Sequence, residues 1–304
     1  MIHSGLRAEN SSLQKKVIDL NTIYYESCLE TMKRIEDNYI DLVITSPPYN
    51  MNLRIRNGQY CSRQIVKEFS TKYSGFDDNL PIEEFYNLHS NILEELLRVS
   101  KIIFYNIQIV PGSKRAFFKM IGKYSDYLKD IIVWDKGFAQ PAMASNVLNR
   151  QSELILVFER ENAISRQFSK CNFKRGTLDD IWKIGRGKKV DKNHSAVFPE
   201  KLVQTVLTNF TNENDIVYDP FMGTGTTGFV ASRMNRKWIG SEINAEYCKT
   251  ALKRIKSSEE LFLSVEYDNE TKPNNEQQML IFDKPSKIKY GKTKQVKKNK
   301  KRSA

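Results

Sequence analysis

The chain has 304 residues, of which 40% are hydrophobic and 28% are charged, so it can bury a substantial core and does not have a disordered composition. Its net charge is +12, but ten Lys and Arg residues and no acidic residue lie between Lys284 and Arg302, which leaves +2 for the remainder. No apolar run approaches the length of about 18 residues that indicates a transmembrane helix. The four cysteines form no Cys-x-x-Cys pair, so neither a zinc site nor a disulfide framework is indicated.

The first half of the chain alternates between predicted strands and helices. Residues 40–45 form an apolar run that predicts a buried strand ending before Ser46, and residues 82–100 have the spacing of an amphipathic helix. Between them, the polar residues 50–78 are predicted to form a long loop. The other predicted elements are a strand at 17–25, a helix at 29–35, a strand at 101–110, a helix at 113–125 and strands at 127–134 and 152–159.

The second half resumes this alternation after a basic, irregular stretch at residues 162–193, for which no element is predicted. Its predicted elements are a helix at 198–210, a strand at 215–218, a helix at 226–234, a strand at 237–243 and a helix at 245–257. Strands that alternate with helices predict an α/β fold with a mostly parallel sheet covered on both faces. The chain then becomes polar and lysine-rich, so residues 257–304 are predicted to be a disordered basic tail after a domain of residues 1–256.

A glycine-containing motif, DPFMGTGTT at residues 219–227, follows one predicted strand and precedes a predicted helix. Glycines let the backbone turn sharply and approach a ligand, and the free N–H groups of a helix N-terminus can bind it. Glu242 ends the next predicted strand, where an acid can accept hydrogen bonds from ribose hydroxyls. A structural tight turn is the alternative for the glycines alone, but the whole strand–loop–helix–strand–acid pattern favours a nucleoside-type cofactor. Because the motif lacks the Gly-Lys-Ser/Thr of a Walker loop, ATP chemistry is disfavoured.

A second motif, Ser46-Pro47-Pro48-Tyr49, follows the predicted strand at residues 40–45 and is suited to hold a planar amino group. Its two prolines stiffen the backbone and remove two N–H donors, which leaves carbonyl acceptors. The Ser46 hydroxyl and the Pro47 carbonyl can accept the two hydrogens of an exocyclic amino group, and the Tyr49 ring offers a face for a flipped base. A proline-rich turn without chemistry is the alternative for this motif taken alone.

Together, TSPPYN at residues 45–50 and DPFMGTGTT resemble the catalytic and cofactor motifs of S-adenosylmethionine-dependent DNA amino-methyltransferases. The catalytic motif comes first, which is similar to the β group, whose cofactor half is permuted to the C-terminus. The resemblance covers roughly residues 17–256 and implies a Rossmann-like class I methyltransferase sheet, circularly permuted, with a small target-recognition insertion at 162–193. It assigns catalytic roles to Ser46, Pro47, Pro48 and Tyr49, and S-adenosylmethionine contacts to Asp219, Phe221, Gly223, Thr224, Gly225, Thr226, Glu242 and Phe198.

The identity of the first residue in the catalytic motif, Ser46, bears on which base is methylated. Ser46 stands where many members of the resembling family carry Asp, and Ser-Pro-Pro-Tyr is commoner among enzymes that resemble N4-cytosine methylators. The resemblance therefore favours cytosine N4 and leaves adenine N6 open. Transfer to cytosine C5 needs a cysteine nucleophile, usually presented after a proline, and none of the four cysteines follows a proline. Where the family often has Gly-Asp-Cys, this chain reads Glu-Ser-Cys at residues 26–28, which leaves that cofactor contact open.

Two basic stretches are candidates for contacts with double-stranded DNA. The loop at 50–78 follows the catalytic motif, and the segment at 162–193 lies where target-recognition segments occur in the resembling family. Predicted phosphate contacts are Arg54, Arg56, Lys72, Lys174, Arg175 and Arg186. A solvated charged loop is the alternative interpretation of the first stretch.

Two other methyl acceptors and one non-enzymatic role are alternatives to DNA methylation. RNA or a protein glutamine amide could accept the same methyl group, but the basic segment between the two motifs favours DNA. A catalytically silent DNA-binding subunit is disfavoured because both motifs are intact. No signal peptide is apparent at the N-terminus, so a cytoplasmic location is expected, with a monomer or homodimer and a cognate restriction endonuclease as further possibilities.

The tail contains one apolar island, Gln278–Phe282, among polar residues. This island is similar to the peptide by which bacterial proteins dock on the replication sliding clamp, and an edge strand packing on the body is the alternative. The lysine-rich run that follows is expected to add DNA affinity that does not depend on sequence and that falls with salt.

Overall fold

A computed structural model describes residues 18–50, 54–56, 59–61, 80–139, 145–187 and 198–267. Side chains are described in residues 18–50, 80–139, 145–187 and 198–257. The candidate DNA contact Lys72 and the apolar island Gln278–Phe282 lie outside these ranges.

The described residues contain ten strands and six α-helices. The strands are β1 (Thr22–Tyr24), β2 (Ile40–Thr45), β3 (Arg54–Arg56), β4 (Gln59–Cys61), β5 (Ser100–Ile107), β6 (Leu128–Asp135), β7 (Ser152–Glu159), β8 (Ile181–Lys183), β9 (Ile216–Asp219) and β10 (Lys237–Ser241). The helices are α1 (Cys28–Met32), α2 (Ile82–Val99), α3 (Lys114–Lys123), α4 (Glu200–Phe210), α5 (Thr226–Arg233) and α6 (Ala245–Tyr267).

Eight strands form one sheet in the order β1-β10-β9-β2-β5-β7-β6-β8. Every pairing is parallel except the two that involve β7, which runs against both β5 and β6. The predicted mostly parallel α/β sheet is therefore confirmed. The C-terminal ends of the parallel strands and the start of β7 share one edge of the sheet, which we call the upper edge; the opposite edge is the lower edge.

Two hydrophobic cores lie on the two faces of this sheet. The first is built mainly from α1, α2 and α3, and the second from α4, α5 and the first turns of α6. Strand β2 serves both, since Ile40 and Val43 belong to the first core while Leu42 and Ile44 belong to the second. Such a strand is apolar along most of its length because both of its faces are buried.

Strands β2 and β9 are neighbours, with Leu42 opposite Val217 and Val43 opposite Tyr218. The loop after β2 carries Ser46–Tyr49, and the loop after β9 carries the glycine motif. Because parallel strands end at the same edge, these two loops leave the upper edge side by side.

Four features of the structure differ from the predicted elements. Strand β1 is three residues long, shorter than the predicted strand at 17–25. Strand β8 lies within the stretch 162–193, and the hairpin β3–β4 lies within the predicted loop 50–78. Three-residue strands are too short to show a periodic pattern. Helix α6 continues to Tyr267, past the predicted end at 257, through a stretch rich in Glu and Leu that favours helix.

Candidate active site

The loop after β2 places Ser46 at the upper edge, with its side chain half-buried. Tyr49 is only 8% exposed and packs into the first core. Asn50 takes a left-handed backbone conformation (φ 54°), and its side-chain amide donates to the carbonyls of Leu80 and Gly112 at 2.9 and 3.2 Å. The loop is thus fastened to the residues that precede α2 and α3.

A network of polar side chains lies beneath this loop. The Tyr49 hydroxyl is 2.6 Å from Ser46 Oγ and donates to Glu153 Oε2 at 3.1 Å. Asn106 Nδ2 donates to the Tyr49 hydroxyl at 2.6 Å and to Glu153 Oε2 at 2.7 Å, and it lies 3.3 Å from Ser46 Oγ. The other carboxylate oxygen of Glu153 pairs with Lys136 Nζ at 2.8 Å. Asn106 is near the end of β5, Lys136 follows β6 and Glu153 is near the start of β7, so the sheet topology brings all three to the upper edge.

Sequence reasoning did not single out Asn106, Lys136 or Glu153. A partial signal was present, because Glu153 stands at the start of the predicted strand 152–159, Asn106 interrupts the apolar predicted strand 101–110, and Lys136 follows the predicted strand 127–134 by two residues. Their convergence on Tyr49 depends on the strand order, which the sequence pattern alone does not provide.

Asp219 connects the two motifs. Its Oδ1 accepts from the Thr45 hydroxyl at 2.8 Å and from the Phe221 backbone N–H at 3.0 Å, and its Oδ2 accepts from the Thr227 hydroxyl at 2.6 Å. Burial raises the pKa of this carboxyl to about 6, although the three hydrogen bonds oppose the shift. Both oxygens are held by the protein, so Asp219 ties strand β2 to the glycine loop.

The glycine motif turns tightly before α5. Gly223 and Gly225 have φ values of 53° and 80°, which a residue with a Cβ rarely adopts. A Cβ on Gly225 would lie 2.7 Å from Ala251 Cβ, so the loop also packs closely against α6. Thr224 and Thr226 are buried, and Phe221 is half-buried beside them.

Glu242 closes the same loop from the end of β10. Its Oε2 accepts from the Gly223 backbone N–H at 2.8 Å, and its Oε1 accepts from the Asn244 backbone N–H at 2.8 Å. Burial raises the pKa of Glu242. Each carboxylate oxygen keeps a further lone pair, so the geometry allows the predicted hydrogen bonds to ribose hydroxyls. The remaining predicted cofactor residue, Phe198, packs edge to face on Trp134 at 6.3 Å between ring centroids.

The predicted DNA contacts do not all lie together. Arg54 and Arg56 are in β3, and Arg186 follows β8, where its guanidinium lies 5.4 Å from the Phe138 ring centroid. Lys174 and Arg175 come soon after Asn172, whose side-chain amide contacts the Thr211 carbonyl beyond the end of α4 at 2.8 Å. That contact places them near the start of β9, at the lower edge, whereas Arg186 follows the upper end of β8.

Two classes of feature are not found in the described part of the chain. No group of three or more His, Cys, Asp or Glu side chains there could hold a metal ion. No helix among those residues has the length and apolar character needed to cross a membrane.

Comparison with known proteins gives matches of sequence and of structure. A sequence model of the DNA methylase family N6_N4_Mtase matches residues 40–253. The chain is 28% identical over 274 residues to the type II methyltransferase M.HpaI of Haemophilus parainfluenzae, an alignment that covers 82% of this chain and 78% of that protein. It is also 28% identical over 266 residues to the orphan methyltransferase M.BamHII of Bacillus amyloliquefaciens, covering 74% and 92% respectively.

Two solved structures share the fold. The cytosine-N4-specific PvuII DNA methyltransferase is 19% identical with a TM-score of 0.59, covering 78% of this chain and 87% of that one. M1.HpyAVI, solved as a complex with SAM, is 22% identical with a TM-score of 0.50, covering 76% and 98% respectively.

Proposed function

The chain belongs to the N6_N4 DNA methylase family, and from that membership we propose that it transfers a methyl group from S-adenosylmethionine to the N4 amino group of a cytosine flipped out of duplex DNA. The observation that carries this proposal is the Thr45–Asp219 hydrogen bond, which holds a Ser-Pro-Pro-Tyr loop directly beside a glycine loop. In this proposal the amino-group site and the cofactor site lie side by side at the upper edge of the sheet.

The residues present fit the cofactor, which supplies an electrophilic methyl group when bound. The backbone around Gly223 and Gly225 leaves room for close approach, and the N-terminus of α5 directs N–H groups toward that loop. Glu242 offers carboxylate oxygens for ribose hydroxyls. In this proposal Asp219 acts by holding the loop in place, since both of its oxygens already accept hydrogen bonds from the protein.

The catalytic loop would orient the target amino group. The Ser46 hydroxyl and the Pro47 carbonyl accept its two hydrogens, which turns the nitrogen lone pair toward the methyl group. Ser46 at the first position favours cytosine, as the family resemblance implies. Arg54, Arg56, Lys72 and Arg186 are the proposed DNA phosphate contacts; the position of Lys174 and Arg175 at the lower edge makes them weaker candidates.

Nucleoside analysis of methylated DNA tests this function. The full chain is incubated with unmethylated genomic DNA and tritiated S-adenosylmethionine, and the DNA is digested and resolved by mass spectrometry. We expect N4-methylcytosine from the wild type and at least a 100-fold loss for Tyr49→Ala, on the order of the effect of a misplaced reacting group. Tyr127→Ala, a change to an exposed tyrosine near the start of β6, is a control outside the loop and should be as active as the wild type.

Each other outcome has a definite meaning. N6-methyladenine as the product would overturn the choice of cytosine and retain amino-methyl transfer. No transfer from the wild type, or equal transfer from Tyr49→Ala, would overturn the catalytic assignment.

A further inference from the structure

The network beneath the catalytic loop contains a buried charge pair that the transfer of a methyl group does not itself require. The side chains of Lys136 and Glu153 are only 5% and 11% exposed, and their charged atoms are 2.8 Å apart. Burying two charges is costly unless they are paired and hydrogen-bonded. Glu153 meets this condition, because its other oxygen accepts hydrogen bonds from Tyr49 and Asn106.

The direction of each hydrogen bond in this network follows from the ionised carboxylate. A carboxylate only accepts hydrogen bonds, so the Tyr49 hydroxyl must use its single hydrogen to donate to Glu153. The Tyr49 oxygen then accepts from the Asn106 amide and from Ser46. Ser46 therefore donates to Tyr49, and its oxygen, which lies 3.3 Å from Asn106 Nδ2, keeps a lone pair that can accept from the target amino group.

The orientation of the Asn106 amide agrees with this order. The reverse orientation would place the amide oxygen against the Glu153 carboxylate, and two acceptors would face each other. In the orientation present, Asn106 Oδ1 is buried with no hydrogen-bond partner among the described residues. A buried orphan acceptor is uncommon, and here it accompanies an amide that presents its N–H groups to Tyr49 and Glu153.

We propose that Glu153, clamped by Lys136, ends a one-way hydrogen-bond chain that runs from Ser46 through Tyr49, and that this chain receives the proton lost by the target nitrogen. This hydrogen-bond chain has two consequences, and both rest on the proposed function. It keeps Ser46 an acceptor, so the site takes a base that presents an amino group and disfavours a carbonyl at the same position. It also provides a route for the proton.

The nitrogen becomes positively charged when it gains the methyl group, and one of its N–H bonds then breaks. That proton passes to Ser46 Oγ while the Ser46 proton passes to Tyr49 and the Tyr49 proton passes to Glu153 Oε2. The products are a neutral methylamino group and a neutral carboxyl group, which returns its proton to solvent before the next turnover.

The protein contains a matched control for Glu153. Glu159 lies on the same strand β7, is paired with Lys129 at 2.8 Å, and has a side chain only 5% exposed. It is six residues further along and therefore at the lower edge, away from Ser46 and Tyr49. Glu159→Gln removes the same kind of buried carboxylate without touching the hydrogen-bond chain.

Single-turnover methylation at saturating DNA and cofactor tests the proposal. We expect Glu153→Gln to lower the rate constant by about 100-fold, within the range of a lost proton acceptor, with the dissociation constant of S-adenosylmethionine unchanged. Glu159→Gln should lower the melting temperature and keep the wild-type rate constant. The double variant Lys136→Met with Glu153→Gln removes both buried charges and should stay as slow as the single one, which separates the proton role from the cost of an unpaired lysine.

Tyr49→Phe covers the case in which Glu153→Gln does not fold. This change removes the middle hydroxyl of the hydrogen-bond chain and keeps the ring, which packs into the first core, so we expect a comparable loss of rate. A wild-type rate constant for Tyr49→Phe or for a folded Glu153→Gln would overturn the proton chain and leave the proposed function standing. A wild type that methylates no DNA would overturn both.

Discussion

Gly225 is a residue whose identity is required by both backbone conformation and packing. Its φ is 80°, and a Cβ would lie 2.7 Å from Ala251 Cβ and 3.0 Å from Ala251 Cα. We expect Gly225→Ala to lower the free energy of unfolding by about 2–4 kcal/mol, because strain at positive φ adds to overpacking. The cofactor should also bind more weakly. Urea denaturation and calorimetric titration with S-adenosylmethionine measure the two effects.

Gly122→Ala is the control at the same scale. Gly122 is near the end of α3, and a Cβ there would meet no atom within 4 Å. Alanine in a helix should therefore leave stability unchanged or raise it by up to about 1 kcal/mol. An equal loss of stability in both variants would show that neither the close approach nor the conformation of Gly225 is what matters.

The residues of the site were partly accessible from the sequence. Ser46–Tyr49, Gly223, Gly225 and Glu242 stand in contiguous motifs, where the spacing itself carries the chemistry. The sequence did not reveal Asn106, Lys136 and Glu153 in this way. They lie in or directly after three separate strands and come together only when the sheet is assembled.

At the scale of elements, the contact between β2 and the loop after β9 joins the two loops to which the proposed function assigns the target base and the cofactor. Thr45→Val removes its hydroxyl and keeps its shape, so Asp219 Oδ1 retains only the Phe221 N–H. We expect the dissociation constant of S-adenosylmethionine to rise about tenfold, the effect of one lost hydrogen bond to a charged group. Thr208→Val, an exposed change on α4, should bind as the wild type does; an unaltered affinity in Thr45→Val would contradict the coupling.

The elements differ in how far the sequence could predict them. Helix α2 and strand β7 were predicted within one residue because a long period or a continuous apolar run marks them. Strand β8 and the β3–β4 hairpin were missed. Their three-residue strands are stabilised by pairing with a neighbour and show no period of their own, so tertiary structure decides them. The predicted circular permutation concerns descent rather than geometry and stays a prediction.

At the scale of the whole molecule, positive charge is concentrated outside the described residues. Ten Lys and Arg residues without an acid lie between Lys284 and Arg302, and the remainder of the chain carries +2. We expect truncation after Tyr267 to weaken binding to non-specific duplex DNA and to flatten the dependence of log affinity on log salt, because fewer phosphates are neutralised. The methylated base should not change. Fluorescence anisotropy over a salt series measures both quantities.

A triple change of Arg54, Arg56 and Lys72 to alanine separates the tail from the loop at 50–78 in the same assay. Wild-type affinity and salt dependence in the triple variant would exclude phosphate contacts by that loop. The same result for the truncated chain would exclude them for the tail.

Strand β8 divides the proposed recognition segment, residues 162–193, into one stretch that packs on α4 and one that follows the upper end of β8. Residues before Ile181 pack against the end of α4 and the lower part of the sheet, as the Asn172–Thr211 contact shows. After Lys183, which pairs with Asp135, the chain has returned to the edge that carries the catalytic loop. If the segment reads DNA, sequence specificity can therefore diverge among descendants of this enzyme by changes after Lys183. The stretch before β8 would meanwhile be constrained by its packing on α4, where the ring centroids of Phe168 and Phe210 are 5.0 Å apart, so changes there would act on stability more than on recognition.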